Sequence, residues 1–133
     1  MRYKAIIMDV DGTCVPSSLA GLPSQKVLAA IQAAQKKIHV SVCTSRPIFI
    51  AKNVIRALGI SDPCGINDAT QIYDPKQEQI IENFYLSPQA VTDIITFFNE
   101  KKLRFMVNNG VDEKYYDGNV LQNLCSIVLS EVS

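Results

Sequence analysis

The chain has 133 residues, 47% of them hydrophobic, with 13 Lys and Arg balanced by 13 Asp and Glu. That length suits one ordinary domain, and the balance leaves neither a basic excess for nucleic acid nor a polybasic patch for a membrane. No apolar run approaches the roughly 20 residues of a spanning helix, and the one near the N-terminus is too short for a signal peptide. The four cysteines, Cys14, Cys43, Cys64 and Cys125, form no C-x-x-C pair, and His39 is the single histidine. A zinc site is therefore not expected, and the cysteines read as reduced, mostly buried residues of a cytoplasmic protein.

Residues 4–10, KAIIMDV, read as a buried strand: short, mostly apolar and ended by polar residues and glycine. A loop follows, broken by Gly12, Pro16, Gly21 and Pro23. Residues 24–37 form a helix capped by Ser24, with Val27, Leu28, Ile31 and Ala34 on one face. KIHVSVC is a second apolar strand. TSRP opens another helix, with Pro47 in its first turn, Ile50, Val54 and Leu58 at helical spacing, and Gly59 as a left-handed stop. PCGIN is a short third strand, and TQIYDPKQEQIIENF a hairpin around Asp74-Pro75. This β-α-β-α order argues for a parallel sheet with flanking helices, here of only about three strands.

The pattern changes near Ser87. Ser87-Pro88 caps a helix whose stripe is Val91, Ile94, Ile95 and Phe98, closed by Lys101 and Lys102. LRFMVN is a strand and NNGVDEKYYDGN is turn-rich. Residues 120–129 read as a helix, with Val120, Leu121, Leu124 and Val128 on one face. No repeat or low-complexity segment is evident. Residues 1–86 are thus expected to form an α/β core and residues 87–133 a second domain.

The distinctive polar residues collect at the carboxyl ends of the first three strands, where open α/β sheets bind ligands. They are Asp9 and Asp11, then Thr44, Ser45 and Arg46, then Asn67 and Asp68. Two close carboxylates repel each other, and a cation relieves them. Oxygen ligands suit Mg²⁺, which takes one or two carboxylates and leaves room for phosphate and water. A carboxylate can attack phosphorus to form an aspartyl-phosphate, and a second one can protonate the leaving oxygen and later activate water. Thr44 can donate a hydrogen bond to a phosphoryl oxygen, and the loop around Gly12 can offer backbone N–H groups.

DVDGT resembles the D-x-D-G-T signature of the haloacid dehalogenase superfamily, whose members are mostly Mg²⁺-dependent phosphatases. VCTSRP resembles the second motif of its Cof-type sugar-phosphatase branch. INDATQIYDPKQEQIIENFYLS is similar to that branch's Asn-Gly-Ala stretch, hairpin and lead into a C2-type cap. The likeness runs over about the first 87 residues. It implies a Rossmann-like α/β core with the start of an α+β cap, and hydrolysis of a small, sugar phosphate-like metabolite. It implies Asp9 as nucleophile and Asp11 as general acid/base, both at the metal. Thr44, Gly12 and Arg46 would lie at the phosphate, Arg46 near the site mouth.

The departures are specific. Ser45 and Asp68 stand where the branch has glycine, and Asp68 adds negative charge near an anion site. The third-motif lysine and the fourth-motif acidic pair, which follow the cap in the family, have no counterpart in this sequence. Incomplete core and cap, with weak turnover or none, are therefore expected.

Plainer roles remain open: Thr44 as a helix cap, Arg46 as a surface charge, Asp68 as a turn residue, His39 as structural, and Tyr115 and Tyr116 as packing. The rival function is a catalytically degenerate binding module that self-associates through an exposed core edge. A receiver-type signalling domain fits the motifs less well.

Overall fold

The computed structural model describes residues 2–17, 21–119 and 122–130. The chain forms two compact units, Met1–Glu82 and Asn83–Ser133.

In the first unit, β1 (Ala5–Met8) pairs in parallel with β2 (His39–Val42), Ala5 facing His39 and Met8 facing Val42. An isolated parallel bridge from Cys43 to Gly65 carries the sheet on to β3 (Cys64–Ile66). β3 is also the first strand of an antiparallel sheet with β4 (Gln71–Asp74) and β5 (Gln79–Asn83). The Asp74 carboxylate shapes the hairpin turn by accepting from the backbone N–H of Lys76 at 2.8 Å.

α1 (Gln25–Gln35) joins β1 to β2, and its Ser24 cap accepts from the Val27 N–H. α2 (Ile48–Leu58) joins β2 to β3. Pro47 lies at its N-cap, one place before the expected first turn, and Gly59 stops it at φ +69°. The buried core combines Val40 and Val42 of β2, Ile31 of α1, and Ala51, Val54, Ile55 and Leu58 of α2 with Val10, Cys64 and Ile66.

β1 departs from the expected buried strand. Ile7 is 69% exposed and Ile6 43%. Among the described residues β1 has a partner on one edge only. A parallel strand buries both faces only when neighbours and helices cover it.

The second unit sets α3 (Pro88–Glu100) beside the antiparallel sheet β7-β6-β8: β6 is Phe105–Asn108, β7 Glu113–Tyr115 and β8 Ser126–Leu129. Ser87 caps α3 by accepting from the Ala90 N–H. Ile95, Phe105, Val107 and Leu124 form the core, and Tyr116 stacks on Phe105 with ring centroids 4.8 Å apart.

Two sequence readings fail here. Part of the turn-rich stretch is strand β7. The helix over 120–129 is absent where the structure describes it: residues 126–129 are strand β8, paired antiparallel to β6 from Phe105↔Leu129 to Asn108↔Ser126. Val120 and Leu121 lie outside the described residues. The β6 edge supplies backbone partners, and Ile-Val in mid-strand suits a pleated surface better than a helix.

Leu58 is fully buried at the last turn of α2. Leu58→Ala is expected to lower unfolding stability by about 2–5 kcal/mol, read from a urea titration.

Candidate functional site

After β1 the chain curls tightly. The Val10 carbonyl accepts from the N–H groups of Thr13, Cys14 and Val15, and the Gly12 N–H donates to the Val15 carbonyl at 2.8 Å. Gly12 sits at φ +73°, and a Cβ there would lie 2.9 Å from Ser17 Oγ. Glycine is therefore required by the turn. Its N–H, expected to face an anion, is engaged inside the loop. The curl leaves Asp9 exposed and Asp11 half-buried.

The end of β2 lies between its neighbours: the Cys43 N–H donates to the Met8 carbonyl and the Thr44 N–H to the Gly65 carbonyl. Thr44 is buried, and its Oγ1 accepts from the Arg46 N–H at 3.2 Å. The hydroxyl thus shapes the strand-to-helix turn.

Arg46 is only 5% exposed. Its guanidinium grips Asp11 at both oxygens, Nε donating to Oδ2 at 2.9 Å and Nη2 to Oδ1. Its carbonyl accepts from the Asn67 N–H at 2.9 Å. Beyond that contact Asn67, Asp68 and Ala69 run left-handed at φ +53°, +58° and +61°. Asn67 Nδ2 and Thr70 Oγ1, 3.0 Å apart, close this turn. Asp68 is exposed on it. The turn carries strain at the edge of the site, since left-handed conformations cost most non-glycine residues on the order of 1 kcal/mol each.

The hydrogen bonds from Arg46, with its positive charge, hold the Asp11 carboxyl below the usual carboxylate range against the opposing effect of burial. In this arrangement Asp11 is an acceptor. Burial and the charge of Asp9 push the Cys14 thiol up, so it is a poor nucleophile.

Among the described residues, no three His, Cys, Asp or Glu converge as a metal cluster. Asp9 and Asp11 alone suit a cation that keeps several waters and shares a phosphate, as Mg²⁺ does.

Loop contacts thus connect the β1, β2 and β3 ends through Asp11, Thr44, Arg46 and Asn67. What sequence reasoning missed is the Asp11–Arg46 pair and the backbone contact to Asn67. Opposite charges at neighbouring strand ends were the available signal for the pair. His39 lies apart at the start of β2, exposed, with Nδ1 3.2 Å from Asp62. Tyr115 has the Arg104 guanidinium 4.0 Å above its ring, a surface packing role.

The model of the haloacid dehalogenase-like hydrolase family matches residues 6–127, and the chain belongs to that family. Among solved structures it is similar to a phosphatase of this superfamily from Bacteroides thetaiotaomicron: 15% identity, TM-score 0.70, covering 90% of this chain and 42% of that one. A haloacid dehalogenase-like hydrolase from B. subtilis shares 22% identity at TM-score 0.64, over 88% of this chain and 40% of that one. A subclass IIB sugar phosphatase of the superfamily shares 20% identity at TM-score 0.64, over 88% and 45%. The likeness establishes the fold, and the chain spans less than half the length of each of these proteins. No curated protein matches it by sequence. No described helix is long and apolar enough to cross a membrane.

Asp11→Asn removes the carboxylate from a buried guanidinium and is expected to cost on the order of 2 kcal/mol at pH 7. The folded pKa of Asp11 lies below its ordinary 3.8. The wild-type advantage is therefore full above that value and lost as pH falls through the lower, folded one. Urea midpoints of the two proteins should converge toward low pH.

Proposed function

We propose that the chain carries the nucleophile side of a Mg²⁺-dependent phosphomonoester hydrolase of the Cof-type branch, acting on a small, sugar phosphate-like metabolite. Residues 1–86 would be its core and residues 87–133 the beginning of its cap. The observation that supports this reading best is the Asp9, Asp11 and Thr44 grouping at the carboxyl ends of adjacent parallel strands, in a chain of this family.

Asp9, exposed at the end of β1, is the nucleophile: its carboxylate oxygen bonds to phosphorus as the ester P–O bond breaks. Asp11 protonates the leaving oxygen, then takes a proton from the water that hydrolyses the aspartyl-phosphate. Thr44 and Arg46 lie beside the phosphate, and the turn at Gly12 lets it approach the loop. Asp9 and the main-chain carbonyl of Asp11 would hold Mg²⁺, which supplies charge neutralisation at the phosphoryl group when bound.

Arg46 constrains this chemistry. While it grips Asp11, proton donation is disfavoured, so leaving groups that need no proton should react best. Acyl and aryl phosphates meet that condition; the alkyl ester of a sugar phosphate needs the Arg46 grip released so that Asp11 can carry the proton.

Acetyl phosphate with Mg²⁺ should add one phosphoryl group to the chain, seen by intact mass and removed by hydroxylamine. Asp9→Asn should abolish the label. A folded wild-type chain that takes no label would overturn the hydrolase reading and leave a family-derived interaction module.

A further inference from the structure

We propose that Asn109 is a site of spontaneous deamidation, and that the Asn108 side chain is the brake that slows it in the folded protein. The inference lies wholly within the second unit and does not depend on the catalytic reading.

The loop between β6 and β7 runs Asn109-Gly110-Val111-Asp112, and Asn109 is the one asparagine of the chain that precedes a glycine. The hairpin calls for that pair. Gly110 stands at φ +88°, a conformation that favours glycine, and the Asn109 N–H closes the turn on the Asp112 carbonyl at 3.1 Å. The same pair is chemically labile. Glycine has no side chain to shield its nitrogen from the carboxamide of the residue before it.

In the reaction the Gly110 nitrogen gives up its proton and bonds to Asn109 Cγ. The Cγ–Nδ2 bond breaks, and Nδ2 leaves as ammonia with the proton that Gly110 lost. The product is a succinimide ring. Water then opens the ring at either carbonyl and leaves aspartate or isoaspartate at position 109. Both products add a negative charge beside Asp112 and Glu113. Isoaspartate also routes the main chain through a side-chain carbon, which lengthens the loop that joins β6 to β7.

Two sets of hydrogen bonds act on this step in opposite senses. Asn109 Oδ1 accepts from the N–H of Val111 at 3.0 Å and from that of Asp112 at 2.7 Å. These donors face the oxygen on which charge collects during attack, so they favour it. The Gly110 N–H donates to Asn108 Oδ1 at 2.6 Å. Removing that proton breaks the bond and leaves a nitrogen anion against an oxygen lone pair, so this contact opposes attack. The second contact decides the outcome, because the nitrogen is no nucleophile until its proton has gone. Asn108 is firmly held for this task. It is buried, its Nδ2 donates to Glu113 Oε2 at 2.9 Å, and its main-chain carbonyl accepts from the Cys125 N–H at 2.7 Å.

The chain should be incubated at neutral pH, and the peptide carrying Asn109 followed by mass spectrometry for the conversion of amide to acid. Folded wild type should convert slowly, and faster in urea. Asn108→Ala should convert about five- to tenfold faster than wild type in buffer, the worth of one intramolecular hydrogen bond. Asn108→Asp loses the donor to Glu113 but keeps an acceptor for the Gly110 N–H, so its rate should stay at or below that of wild type. This variant separates the brake from simple loosening of the loop. Asn109→Ser should show no conversion at this position. Amide hydrogen exchange needs the same loss of the Gly110 proton, so in wild type that N–H should be protected. A folded wild type that converts as fast as in urea would overturn the proposal. So would Asn108→Ala at the wild-type rate, Asn108→Asp as fast as Asn108→Ala, or an unprotected Gly110 N–H.

Discussion

The first unit depends on one ion pair, Asp11 with Arg46. A guanidinium that is 5% exposed is expensive to desolvate, and a carboxylate meeting it at two oxygens is the partner that offsets the cost. Arg46 is also where three loops meet. Its guanidinium holds the β1 loop, its N–H bonds to Thr44 Oγ1, and its carbonyl receives the Asn67 N–H. The positions of Asp11, Thr44 and Asn67 are therefore not independent.

The same pair shapes the chemistry. By holding Asp11 ionised, it favours a group that accepts protons and disfavours one that donates them. Asp9 has no part in this clamp and is exposed. Nearby, Gly12 serves the turn and Asp68 a left-handed bend, so residues with similar positions in the sequence motifs do different physical work.

β1 shows the complementary tension. Its Ala-Ile-Ile-Met sequence has the composition of a strand covered on both faces, yet two of its isoleucines stand open. The solved structures that share this fold are more than twice as long as the span they share with it.

Much was legible in the sequence because it is local. Ser24 and Ser87 as caps, Gly59 as a left-handed stop, the Asp74-Pro75 hairpin and the apolar faces of α1, α2 and α3 each depend on residues within a turn or two of one another. The D-x-D-G-T run, VCTSRP and the INDATQ stretch, each contiguous, together indicated the family. The tertiary structure alone decided what depends on distant partners. It turned residues 126–129 into a strand, because the β6 edge offered backbone bonds that a helical stripe could not match. Among the described residues it gave β1 one neighbour and left Ile6 and Ile7 exposed. It brought Arg46 across 35 positions of chain onto Asp11, a pairing that spacing could not reveal because the fold, not the sequence interval, sets the distance between strand ends.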